Sequence, residues 1–172
     1  VSLVPRPDGT TGHYPHLLER AKPGLIAVTR KGERFTNEAN SYYDVMTDLL
    51  RACEGEPVVE AWLICDHAFI RHWGLGAAKP APLPLGPYLR SGYLKRGHTL
   101  AALATGCGIN ASLLMATVAR YNSQASVGVD TDFHKGETAY NRIQGDAAHS
   151  GPNPCMAPIT AAAPGENAPD GV

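Results

Sequence analysis

At 172 residues, 44% of them hydrophobic and 18% charged, the chain fits one domain of ordinary size and can bury a core without disulfide or metal staples. Fifteen Lys and Arg stand against sixteen Asp and Glu, a formal charge of −1, and the basic residues are scattered, which argues against nucleic acid and anionic membrane as partners. The longest apolar runs, GLIAV and ASLLMATVA, fall far short of the roughly 20 residues of a membrane span. No signal-peptide pattern opens the chain, and Cys53, Cys65, Cys107 and Cys155 form no CxxC pair, so reduced thiols in a cytoplasmic setting are expected.

Residues 1–22 are rich in Pro, Gly and charge and read as a crossover segment, opening as if cut from something longer. GLIAV, Gly24 to Val28, has the continuous apolar character of a buried strand, and RFTNE, after the RKGE turn, is its expected hairpin partner. Ser41 and Asp44 then stand in the spacing of a helix cap, predicting a helix over about residues 42–53. Its apolar positions Val45, Met46, Leu49, Leu50 and Cys53 recur at helical spacing, with Tyr42 on the same inward face.

PVVEAWLIC predicts a second strand, and Asp66 a cap for the short helix HAFIRHWG. GLGAAKPAPLPLGPY is too rich in Pro and Gly for regular structure and reads as a surface excursion. Thr99 and Asn110 cap two further helices, the second with Leu114, Val118 and Tyr121 as an inward stripe. Beyond about residue 127 the pattern is loop-dominated, with turns at GD and GPNP, and residues 160–172 read as a disordered tail. The sum is an α+β domain over residues 23–159: a small mixed sheet with a β-hairpin, packed against several helices.

Few chemical motifs stand out. No GxGxxG, GxxxxGKS, GxSxG or HExxH occurs, and GLGAAKP precedes a proline-rich loop where a nucleotide site would need a helix. The spacings of His13 and His16, and of Cys65, His67 and His72, lack the two-plus-two ligand pattern of a structural site, so no metal is expected. By position alone Tyr42 is a core aromatic, Asn37 and Glu38 cap a turn, Cys155 is a small buried hydrophobe, and His134 with Lys135 forms a solvated loop pair.

Several ordered strings add a further reading: PHLLERAKPGLIAVTRKGERFTNEANSYYDV, GYLKRGHTLAALATGCGINASLLMATVARYN, DTDFHKGETAYNRIQGD and PNPCMAPI. Together, over about residues 10–159, they resemble the FAD-dependent oxidoreductases that include 3-ketosteroid dehydrogenases and fumarate reductases. The matching part is the substrate-binding capping domain inserted between the halves of the FAD-binding domain. In fumarate-reductase-like members the R-F-x-N-E pattern leads to a proton-donating arginine suited to a dicarboxylate. Here that position is Tyr42, as in the ketosteroid dehydrogenases.

The resemblance therefore implies FAD as cofactor, a neutral steroid-like small-molecule ketone as substrate, and Tyr42 as the catalytic proton acceptor. It implies substrate-binding roles for Asn37, Glu38 and Tyr43, and places Asn153, Pro154 and Cys155 beside the cofactor. An always-charged guanidinium suits anions better than steroids, whereas a phenol can take a proton if its ordinary pKa near 10 is brought down or the proton is relayed. Since the flavin-binding halves fall outside the match, an FAD-binding domain is expected in cis or in trans. A stand-alone apolar-ligand module, or a remnant without redox activity, is the alternative, and in either case exposed apolar surface should favour association.

Overall fold

In the computed structural model, which describes residues 1–6 and 8–160, the N-terminal segment doubles back on itself. Strand β1 (Ser2–Pro5) pairs antiparallel with β2 (Thr11–Tyr14), in register from Ser2↔Tyr14 to Pro5↔Thr11. Asp8 makes the turn: its Oδ1 accepts from the Thr10 amide at 2.9 Å and the Thr10 hydroxyl at 2.6 Å, and Gly9 takes a φ of +79° beside it. The segment read as a crossover thus carries a hairpin between Ser2 and Tyr14.

Strand β3 (Leu25–Val28) is buried along its whole length. An apolar run without alternation has no face to give to water, so both its sides must be covered. Its partner is β4 (Trp62–Cys65), antiparallel from Leu25↔Cys65 to Val28↔Trp62. The predicted pairing of β3 with RFTNE shrinks to one bridge, Val28↔Arg34. Asn37 explains why: its Oδ1 accepts from the Ala39 amide and its carbonyl from the Asn40 amide, and this local turn ends the extended run before a ladder can form.

Helix α1 (Tyr42–Ala52) starts at Ser41, whose Oγ accepts from the Asp44 amide at 3.2 Å. Asp66 likewise caps α2 (His67–Trp73) through the Phe69 amide at 2.8 Å. The proline-rich excursion is more ordered than its composition suggests. It carries a Leu75↔Ala78 bridge and the short helix α3 (Gly86–Arg90), and its Leu75, Leu85, Leu89 and Tyr93 pack on a small cluster of Ile70, Ala78 and Leu94.

Helices α4 (Leu100–Cys107) and α5 (Ala111–Val127) form a hairpin with the expected caps at Thr99 and Asn110. Gly108 closes α4 at φ +68°, a left-handed position that a side chain would strain. The main core joins Ile26, Val28 and Ile64 of the sheet to Leu103 of α4 and to Leu114, Val118 and Tyr121 of α5, the three residues of the expected stripe. Helix α6 (Ala139–Gln144), capped by Thr138, lies in the stretch expected to be loop. Mixed helices around small antiparallel sheets make an α+β architecture. The predicted tail from residue 161 on lies outside the described residues, among which no helix is long and apolar enough to cross a membrane.

Candidate active site

The segment RFTNEANSY is held by charge from within. Arg34 donates to Glu38 twice, Nε to Oε1 at 2.9 Å and Nη2 to Oε2 at 2.8 Å, and twice more to Asp130 at 3.1 and 2.9 Å. Lys135 adds Nζ at 3.3 Å from Glu38 Oε2 and donates to the Leu25 carbonyl at 2.7 Å. The guanidinium also lies over the rings of Tyr121 and Phe133, at 5.2 and 4.9 Å.

Two cations and two carboxylates balance, and the side chains of Arg34, Glu38, Asp130 and Lys135 are at most 4% exposed. Burial alone would raise the Glu38 pKa, but Arg34, Lys135 and the Ala27 amide outweigh it and hold the carboxyl down at about 2. Burial pulls the Lys135 pKa below its ordinary value although Glu38 opposes this. Lys135 is therefore a fully buried ion, not the solvated partner of His134 that its position suggested. His134 itself is exposed and pairs with Glu137.

Beyond Glu38 the chain is laced to α6 and to the start of the fold. Asn141 accepts from Asn37 Nδ2 at 2.9 Å and donates to the Ala39 carbonyl and to Asn40 Oδ1 at 3.1 and 3.0 Å. From the other side Arg20, in a 3-10 turn at Glu19–Ala21, donates to the carbonyls of Glu38 at 2.7 Å and Asn40 at 3.4 Å. These clamps fix the chain immediately before Ser41, where the helix cap fixes it again. Tyr42 is consequently presented by two rigid mounts.

Tyr42 faces a cavity of about 1180 Å³. Its wall takes the apolar side of α1 (Val45, Met46, Leu49), parts of β4 and α2, and Leu85 and Leu89 from α3. A large, mainly apolar recess with a few polar groups is the common form of a small-molecule site. Two phenols stand in it. Tyr93 Oη is committed to Ser2 Oγ at 2.8 Å and the Ala77 amide at 3.0 Å, whereas Tyr42 Oη meets only the Val1 amino nitrogen at 3.5 Å among the described residues.

The other expected site residues lie elsewhere. Tyr43 points away from the cavity and is 78% exposed. Asn37 and Glu38 are buried behind the wall as supports of the Tyr42 loop. Asn153 donates to the carbonyls of Gly128 and Lys135 and accepts from the Cys155 amide, while Cys155 Sγ lies 3.1 Å from the Asn141 carbonyl. Pro154, half-buried between them, accepts from the Asp146 amide. Arg20 is the residue that the sequence did not single out, and Lys135 the one that it placed in solvent. Each is one basic residue in an irregular stretch, without a local signal of what encloses it.

Comparison with known proteins gives a consistent picture. A family model described as FAD binding domain matches residues 1–166. The 4-oxocyclohex-2-ene-1-carboxylate 5-dehydrogenase of Sinomonas cyclohexanicum is 43% identical over 152 residues, covering 88% of this chain and 26% of that protein. The 3-oxosteroid 1-dehydrogenase of Mycobacterium tuberculosis strain H37Rv is 34% identical over 148 residues, covering 83% of this chain and 26% of that protein. The crystal structure of 3-ketosteroid delta1-dehydrogenase from Sterolibacterium denitrificans, in complex with 1,4-androstadiene-3,17-dione, superposes with a TM-score of 0.79 at 30% identity, covering 94% of this chain and 29% of that one. The chain spans about a quarter of the length of these curated relatives.

The described residues do not fit a complete FAD. Both sheets are two-stranded and antiparallel, and no strand leads through a Gly-rich turn into a helix N-terminus, the construction that cradles a dinucleotide pyrophosphate. What this part of the chain offers is a walled recess and a rigidly mounted phenol.

Proposed function

The chain belongs to the FAD binding domain family, whose cofactor is FAD, and from that membership we propose that residues 23–159 form the substrate-binding cap of an FAD-dependent dehydrogenase acting on a steroid-like ring ketone. The observation that carries the proposal is Tyr42, clamped from both sides and set on the wall of the apolar cavity with no side chain among the described residues holding its hydroxyl. The relatives support the substrate class: one is named for a 3-oxosteroid and another for an oxocyclohexene carboxylate, and both are named dehydrogenases of ring ketones.

Oxidising the carbon-carbon bond beside a ketone removes a hydride and a proton, and the family's flavin is the hydride acceptor. This chain's share is to bind the ring, exclude water and take the proton. A hydrogen on the carbon next to the carbonyl is acidified by the ketone, and the Tyr42 oxygen, fixed against the ring, can receive it once the phenol has passed its own proton on to solvent or a relay. The apolar faces of α1 and α3 enclose the ring and keep it dry, and the buried network behind Tyr42 prevents its loop from swinging. Asn37 and Glu38 act through that loop. The 145–155 segment, braced by Asn153 and Cys155, is the part assigned to the flavin edge, with Pro154 as its partly exposed residue.

The test is steady-state turnover of the full-length, FAD-loaded protein on a 3-oxosteroid or an oxocyclohexane substrate, comparing wild type with Tyr42→Phe. Turnover should fall by about 100-fold or more while the flavin spectrum stays unchanged. Wild-type turnover in Tyr42→Phe would refute the assignment.

A further inference from the structure

Charge in the cavity wall does not follow charge in the chain. The protein carries one net negative charge, yet the recess is lined by Arg20, Arg71, Arg90, Lys95 and Arg96 against two carboxylates, Glu60 and Asp66. Both carboxylates are already engaged. Glu60 pairs with Arg30, and Asp66 accepts from the Phe69 amide and from the amide and hydroxyl of Thr160. On the basic side Arg71 is spent on the Leu83 carbonyl, but the exposed Arg90, Lys95 and Arg96 at the mouth have no carboxylate partner among the described residues.

Arg20 is the more telling group. It is 3% exposed, and its hydrogen bonds go to the carbonyls of His16, Glu38 and Asn40 through Nε and Nη1 alone. Nη2 makes no hydrogen bond to any described residue, and no carboxylate pairs with the guanidinium. Glu19, its sequence neighbour, is turned to His16 at 2.6 Å and to the Gly76 amide. Burial lowers the Arg20 pKa, opposed at longer range by Glu19 and Glu38. A nearly enclosed guanidinium without a counter-ion is expensive in a folded protein, and lining a cavity is the arrangement in which a ligand supplies the missing charge.

We propose that the cavity selects a ring ketone bearing a carboxylate, with the carboxylate drawn in by the Arg90, Lys95 and Arg96 mouth and received by Arg20 Nη2. A guanidinium edge with a free N–H matches a carboxylate oxygen in geometry as well as charge, and a cationic mouth raises the encounter rate of an anion. This rests on the reading of the cavity as the substrate site. It narrows that reading, because a neutral steroid would give Arg20 no counter-ion, and none is present among the described residues.

The experiment is calorimetric binding of cyclohexanecarboxylate and of its methyl ester to the full-length FAD-loaded protein. These probes lack the ketone, so binding is read without turnover. The acid should bind about tenfold or more tighter than the ester at low salt, and the preference should shrink as ionic strength rises. The exposed triple variant Arg90→Gln, Lys95→Gln and Arg96→Gln should weaken the acid by about tenfold and leave the ester unchanged, and Arg20→Gln should weaken the acid about tenfold more than it weakens the ester, with Arg20→Lys retaining part of the preference. Equal binding of acid and ester by wild type overturns the proposal whether or not Arg20→Gln folds, and so does a preference that is undiminished in both Arg20→Lys and the triple variant. Because the probes carry no ketone and undergo no proton transfer, a failed role for Tyr42 shows in turnover and a failed carboxylate site shows in binding.

Discussion

Arg34 and Glu38, four residues apart and outside any helix, face each other as a two-pronged ion pair with side chains 4% and 0% exposed. Their spacing spans the turn that would otherwise have been a hairpin strand. The pair therefore converts RFTNE from a sheet partner into the base of the loop that presents Tyr42.

Replacing Glu38 with Gln keeps the shape and removes the charge. Lys135 and Arg34 would then share Asp130 alone as a counter-ion, deep in the fold. The expected loss is about 3–5 kcal/mol of folding stability, measured by chemical denaturation. A variant as stable as wild type would show that the network contributes nothing to stability.

The same carboxyl makes stability depend on pH. Its folded pKa of about 2 lies below the ordinary 4.5, so the unfolded chain takes up the proton first as acid is added. Its contribution, about 3 kcal/mol at most, is complete above pH 4.5 and is lost as the pH falls through about 2. Melting curves from pH 6 down to pH 2 should show that acid limb, and Glu38→Gln should flatten it.

Asn141 joins α6 to the Tyr42 loop through Asn37, Ala39 and Asn40, and accepts from the Gly136 amide as well. Asn141→Ala strands several buried polar groups at once. A destabilisation of about 2–3 kcal/mol is expected, together with faster amide hydrogen exchange over residues 37–41. Unchanged exchange there would separate α6 from the mounting of Tyr42.

Gly136 sits at φ +83°, and a Cβ there would fall 2.0 Å from Asn153 Oδ1. Gly136→Ala must displace the Asn153 side chain from its bonds to Gly128 and Lys135 in addition to straining the backbone. Thermal denaturation should show a loss clearly above the roughly 1 kcal/mol of a left-handed alanine alone. A smaller loss would mean that Asn153 is free to move.

The two adjacent tyrosines should separate by function. Tyr43→Phe, at a 78% exposed ring outside the cavity, is expected to keep turnover within about twofold of wild type, the opposite of Tyr42→Phe. A large loss in Tyr43→Phe would place its hydroxyl in the reaction.

What the sequence by itself determined is local. The caps at Ser41, Asp66, Thr99 and Asn110 were legible because a side chain meeting an amide three residues away needs only spacing. The Leu114, Val118 and Tyr121 stripe was legible because helical period and burial coincide. The family pattern marked Tyr42.

Tertiary structure alone decided which strand pairs with β3, that Lys135 is an enclosed ion, and that Arg20 lines the cavity with no carboxylate partner among the described residues. Each of these depends on groups brought together from distant parts of the chain. A lone lysine or arginine in a loop carries no sign of the carboxylate it will meet, or of the one it will lack.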